Sequence, residues 1–216
     1  LEDKAAHDQR ASRPIPDDVG HHFGQAAVEW LGRYGVDVPT AIVNGLVWSP
    51  RNEQLIFQMG NVWQARNFGG FWLEKFGKCY TSGDVNECLH IYGVREVDSG
   101  SRRSETPHIY GRPKSSDDSG SDAKLPLVIV EDPVSALRIA PQSDSMPLLG
   151  SSLHQKRLNA LAGLYDSFVF WLDSDKYKEA RSMEQRTKLM GRSARTIYTP
   201  DDPKCYNDEQ IKEILG

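Results

Sequence analysis

Residues 125–140, LPLVIVEDPVSALRIA, decide the fold, and residues 167–175, SFVFWLDSD, repeat their logic. Each segment is a short apolar run that ends abruptly in carboxylates. A run such as Leu127–Val130, rich in β-branched residues, suits a strand buried on both faces of a parallel sheet. Residues 168–172 read the same way. The acids then fall at the carboxyl ends of two strands, where open α/β sheets receive their ligands. Glu131, Asp173 and Asp175 are therefore expected in one crevice. Carboxylates held together repel one another, and a hard divalent cation is the natural counter-charge.

Downstream of this run the pattern alternates regularly between strand and helix. Asp132 stands at the N-cap and Pro133 at the first position of a helix. A strand follows at 146–149, a helix from Ser152 to about Leu164, then the strand at 168–172. A helix over 176–190 stops at Gly191, with Tyr177, Ala180, Met183, Thr187 and Met190 as its inner stripe. A strand at 195–198 and a last helix, capped by Asn207 or Asp208 and running to Leu215, complete the series. Such alternation predicts a parallel sheet with right-handed crossovers.

Upstream the organisation differs. Residues 1–20 are polar and proline-punctuated, and read as a flexible arm. His21 and His22 lack a third ligand at metal-binding spacing and read as a solvent-exposed pair. Residues 25–34 place Ala27, Trp30, Leu31 and Tyr34 on one helical face, ahead of Gly35. A second short helix covers 40–44. Strands follow at 46–48, 54–59 and 62–66, with Gly60-Asn61 as a hairpin turn. A further strand near 89–92 ends a small α+β subdomain over 21–97. Residues 98–124, rich in Ser, Gly, Asp and Arg, read as a linker or mobile loop.

Bulk properties bound the possibilities. In 216 residues, 38% hydrophobic and 26% charged, there is room for one large domain or two small ones. No apolar run approaches the ~20 residues of a membrane span, and no signal-peptide pattern opens the sequence. Cys79, Cys88 and Cys205 have no CxxC spacing, which argues against a zinc ribbon and for reduced thiols in a cytoplasmic setting. The start at Leu1-Glu2 suggests an excised fragment. Net charge is −4, yet the stretch from Lys176 to Arg195 carries a basic surplus. By itself that surplus is a solvated helix face; beside a metal crevice it becomes a groove for polyphosphate or nucleic-acid backbone.

The order of these motifs carries a resemblance. Strand–Glu–helix, then strand–Asp-x-Asp–basic helix, then a strand before Asp201-Asp202-Pro203, resembles the TOPRIM domain of DnaG-type and phage primases, topoisomerases and some nucleases. VEDPVSAL is similar to that family's glutamate motif, LDSDKYKEA to its DxD motif, and TPDDPKCYNDEQI to the primase Asp-Pro segment. Ahead of them, LIFQMGNVWQARNF and FGKCYTSGD resemble the arginine hairpin and lysine signature of the primase RNA-polymerase core. The family's usual glycine and aspartate after the glutamate are here Asp132 and Ser135.

The resemblance implies an α/β fold, α+β overall: a small N-terminal α+β subdomain followed, over 125–216, by a TOPRIM domain with a parallel sheet flanked by helices. It implies a DNA primase core that makes short RNA primers on single-stranded DNA, from ribonucleoside triphosphates, in phage replication within the host cytoplasm. Magnesium or manganese, as a pair of ions, would be held by Glu131, Asp173, Asp175 and Asp202. Glu131 would add a role as general base or as the group orienting the attacking hydroxyl. Arg66, Lys78 and Lys176 would contact triphosphate or template phosphate. A replicative helicase and a zinc-binding module are the implied protein partners, and no GxxxxGK[ST] motif is present. Trp63, Trp72 and Tyr80 are either base-stacking platforms or core aromatics, the latter being commoner. The alternatives are a catalytically silent TOPRIM scaffold that binds nucleic acid, or a TOPRIM nuclease.

Overall fold

The computed structural model describes residues 13–93, 109–111, 126–150 and 152–216. The chain divides between Cys88 and Leu89 into two compact units.

The first unit is built on an antiparallel meander of β1 (Leu46–Ser49), β2 (Gln54–Met59), β3 (Val62–Asn67) and β4 (Cys79–Ser82). The β2–β3 hairpin turns at Gly60-Asn61 as the sequence predicts. Met59 opposes Val62, and Gly60 takes φ 68°, a left-handed conformation that glycine adopts without steric cost. Helix α1 (Gln25–Arg33) buries Ala27 and Leu31, while α2 (Val38–Val43) is capped by the Asp37 carboxylate, which accepts from Thr40 N at 2.8 Å. Helix α3 (Gly70–Phe76) buries no side chain, and the sequence pattern did not signal it.

Residues 13–20 correct the expectation of a flexible arm, whose remainder, 1–12, lies outside the described residues. Gly20 bridges Trp48, and the Asp18 carboxylate accepts from Ser49 Oγ and Arg51 N at 2.8 Å each. Arg13 O accepts from Trp63 Nε1 at 2.8 Å, while Ile15 and Val19 pack on the Val47, Ile56, Trp63 and Ala65 core. Two apolar side chains among polar ones are enough to dock a short segment when its backbone groups also find partners.

The second unit contains a six-stranded sheet in the order β10-β9-β7-β8-β5-β6. These are β5 (Ile91–Gly93), β6 (Ile109–Gly111), β7 (Leu127–Val130), β8 (Ser145–Pro147), β9 (Ser167–Phe170) and β10 (Ser193–Thr196). Strands β10, β9, β7 and β8 run parallel, as expected. The sheet is mixed rather than wholly parallel, because β5 pairs antiparallel with β8 through Tyr92 and Ser145. The strand near 89–92 thus belongs to this unit and not to the N-terminal subdomain. Within the presumed linker, Ile109–Gly111 pairs parallel with β5; the rest of 98–124 lies outside the described residues.

Helices α4 (Pro133–Ile139), α5 (Gln155–Ala162), α6 (Tyr177–Leu189) and α7 (Asp208–Leu215) accompany the strands. Leu127, Ile129, Phe168 and Phe170 are fully buried, each contributing ~1.5–3 kcal/mol by leaving water. In α6, Ala180, Met183 and Thr187 face inward, but Tyr177 and Met190 of the expected stripe are 40% and 36% exposed. One close approach requires glycine: a Cβ on Gly93 would lie 2.2 Å from Asp144 Oδ1, and Asp144 is itself buried and accepts from Tyr165 OH at 2.8 Å. No helix of the described residues is long and apolar enough to cross a membrane.

Candidate active site

Because β7, β9 and β10 are parallel, their carboxyl ends share one edge of the sheet. Glu131 follows β7 directly. Asp173 stands three residues after β9, whose pairing continues through Trp171 N to Ile129 O at 2.9 Å. Asp202 lies in the loop after β10, directly ahead of a 3-10 turn over Pro203–Cys205. Asp175 falls in another such turn, Ser174–Lys176, ahead of α6.

The carboxylates are close enough to perturb one another. Burial pushes Glu131 up to about 7, and the charges of Asp173, Asp175 and Asp132 add to this against Lys176. Burial likewise pushes Asp173 up to about 6; Lys204 opposes it, while Asp202, Asp132 and Asp175 reinforce it. Glu131 Oε2 and Asp173 Oδ1 are buried and have no hydrogen-bond partner. An ionised oxygen in that situation is costly unless a cation satisfies it.

The other acids are engaged. Asp132 is the N-cap of α4, its Oδ1 accepting from Val134 N at 2.9 Å and Ser135 N at 3.2 Å. Its Oδ2 accepts from Ser135 Oγ at 2.7 Å and from Lys204 Nζ at 3.0 Å. The same ammonium lies 2.8 Å from Asp202 Oδ2. Burial alone would lower the Lys204 pKa, but Asp132, Asp202 and Asp173 hold it well above the ordinary lysine value. Asp175, 70% exposed, pairs with its neighbour Lys176 at 3.1 Å. Among the described residues no three His, Cys, Asp or Glu side chains converge as a ready metal-binding group. The edge therefore gathers the four predicted acids, yet only Glu131 and Asp173 present buried oxygens without partners.

Lys204 is a residue that no motif in the sequence singles out. It stands two residues after Asp202 in the 3-10 turn over Pro203–Cys205, and its side chain comes back onto both Asp202 and Asp132. Much of the basic surplus after Asp175 proves structural. Glu184, buried in α6, accepts from Arg181 and Lys188 at 2.6 Å each, and Arg192 pairs with Asp166 at 2.6 Å.

Arg66 and Lys78 belong to the first unit. The Arg66 guanidinium lies over the Trp30 ring, 5.0 Å from its centroid, with Nη1 3.9 Å from Cys79 Sγ. Lys78 is exposed, just beyond Gly77, which ends α3 with φ 70°. Trp63 is a core residue, 4% exposed, and so offers no platform for a base. Trp72 and Tyr80 are half-buried in a ring cluster with Phe76, and the Arg13 guanidinium lies over all three rings at 5.5–5.8 Å.

The fold resembles that of a solved Aquifex aeolicus primase structure comprising zinc-binding and RNA-polymerase domains. The TM-score is 0.54 and the identity 16%; the likeness covers 99% of this chain and 55% of the primase chain. The fold is primase-like, and the chain spans about half the length of that protein. No family model matches the sequence, and no curated protein matches it.

Proposed function

We propose that this chain is the catalytic core of a DNA primase of the phage type, whose second unit is a TOPRIM-type domain making short RNA primers on single-stranded DNA. The observation that carries this reading is the pair of buried, unpartnered carboxylate oxygens, Glu131 Oε2 and Asp173 Oδ1, at the carboxyl edge of a parallel sheet in a primase-like fold.

The donor set fits a hard divalent cation, magnesium or manganese, held by Glu131 and Asp173, with Asp175 and Asp202 beside them. When bound, such an ion supplies charge neutralisation at the reacting phosphate and at the attacking and leaving oxygens. The chain's own residues do the rest. Glu131, at the end of β7, takes a proton from, or orients, the attacking 3′-hydroxyl. Lys78 presents a point charge to phosphate, and Lys176 presents another beside Asp175. Arg66, held over the Trp30 ring, can offer its guanidinium N–H groups. Ribonucleoside triphosphates and a single-stranded DNA template are the substrates, and a replicative helicase and a zinc-binding module are the proposed partners.

A second reading, a nucleic-acid-binding scaffold without catalysis, draws on one observation: Lys204 already neutralises Asp132 and Asp202 from within. Template-dependent incorporation of labelled ribonucleotides, with magnesium or manganese, separates the two. The primase reading expects dinucleotide and longer products, abolished by Asp173→Ala while single-stranded DNA affinity survives. If wild type makes no dinucleotide even with a zinc-binding module supplied in trans, the enzyme reading fails and the scaffold stands.

A further inference from the structure

The carboxylate edge already contains one cation. Lys204 Nζ sits 3.0 Å from Asp132 Oδ2 and 2.8 Å from Asp202 Oδ2, and its side chain is only 16% exposed. A lysine rarely accepts such burial unless it is paired, and here it has two carboxylates from different segments of the chain. Lys204 lies in the 3-10 turn over Pro203–Cys205, directly after Asp202, and the two ion pairs hold its ammonium between the carboxylates. The oxygens it engages are thereby withdrawn from metal coordination. Asp132 Oδ1 is withdrawn as well, by Val134 N and Ser135 N. Glu131 Oε2 and Asp173 Oδ1, by contrast, are buried and unpartnered.

We infer that Lys204 is a resident counter-cation that takes the place of one divalent ion, so that the site loads a single ion at its Glu131–Asp173 end. The inference rests on the metal-binding reading above and sharpens it. A pair of ions a few ångströms apart needs bridging and flanking oxygens around both, and a dication brought into the Asp132–Asp202 gap would meet a fixed ammonium within contact distance. Lys204 is thus a positioning residue, holding Asp132 and Asp202 in place and setting how many ions the edge accepts.

The stoichiometry of manganese binding to the whole chain tests this, with free Mn2+ counted by electron paramagnetic resonance at neutral pH. Wild type should bind one ion, and Asp173→Asn should lose it. Lys204→Met should bind two ions, and Lys204→Arg should remain at one. Circular dichroism confirms that each variant is folded. Two ions on wild type overturn the inference and leave the metal-binding reading intact, as does one ion on folded Lys204→Met. Absence of any bound ion on wild type overturns both.

Discussion

Trp171 Nε1 donates to Thr199 Oγ1 at 2.7 Å, and that hydroxyl in turn donates to Asp201 O at 2.9 Å. Trp171 is fully buried just beyond β9, and Thr199 is 8% exposed in the loop that follows β10. The bond therefore ties the strand that ends in Asp173 to the loop that carries Asp202. Thr199→Val keeps the shape but strands the indole N–H in the core. The expected cost is ~1–3 kcal/mol, read as a lower urea midpoint with unchanged slope. An unshifted midpoint would mean that the loop is held elsewhere.

Asp132 serves two ends at once, capping α4 and pairing with Lys204. Asp132→Asn keeps a capping oxygen and loses the charge; Asp132→Ala loses both. Equilibrium unfolding should rank alanine below asparagine by ~0.5–2 kcal/mol, the value of a cap. Equal losses would assign the whole effect to the ion pair.

Two carboxylates of the sheet edge contribute stability that grows as pH falls. Glu131 and Asp173 are raised to about 7 and about 6, above the 4.5 and 3.8 they have when unfolded. The folded state then holds more protons than the unfolded one between about pH 4 and pH 7, so stability from these two groups falls as pH rises through that window. The neighbours that set this behaviour are Asp132, Asp175, Asp202, Lys176 and Lys204. Melting temperature of the Glu131→Gln/Asp173→Asn double variant should fall less between pH 5 and pH 8 than that of wild type. Magnesium should raise the wild-type value more at pH 8 than at pH 5, where protons compete with it.

Lys78 is exposed and available to a phosphate. Removing one phosphate contact from a single-strand complex lowers the slope of log affinity against log salt by about 0.7. Lys78→Ala should therefore weaken oligonucleotide binding and flatten the salt dependence by about that amount, as measured by fluorescence anisotropy across a salt series. A parallel shift with unchanged slope would remove Lys78 from the phosphate contacts.

The elements legible in the sequence were those whose signals are local. Leu127–Val130 is apolar and bounded, Asp132-Pro133 opens a helix, and Gly60-Asn61 closes a hairpin; each declares itself within a few residues. The expected strand at 195–198 lies two residues beyond the observed Ser193–Thr196, because pairing starts as soon as Gly191 has ended α6, with Ser193 N bonded to Asp166 O at 3.0 Å. Strand β5 reads from sequence as part of the N-terminal subdomain because its partner, Ser145, lies far along the chain and leaves no mark near Tyr92. Helix α3 is silent in the sequence because it buries nothing and so shows no apolar stripe. The acids at the sheet edge could be read from strand direction. The partition between engaged and unpartnered oxygens could not, since it depends on where one flexible lysine side chain comes to rest.

The antiparallel strand in the second sheet bears on how the fold assembles. Strands β7, β8 and β9 are joined through short helical crossovers and can meet early. Strand β5 must wait for β8, and among the described residues β6 pairs only with β5. Non-local pairings form late because the chain must close a long loop before any contact repays it. Native-state hydrogen exchange should therefore find the amides of Ile91 and Tyr92 opening sub-globally, at lower free energy than those of Ile129 and Val169, which exchange only when the whole unit unfolds. One flank of the sheet would then come and go while the edge bearing Glu131 and Asp173 stays closed.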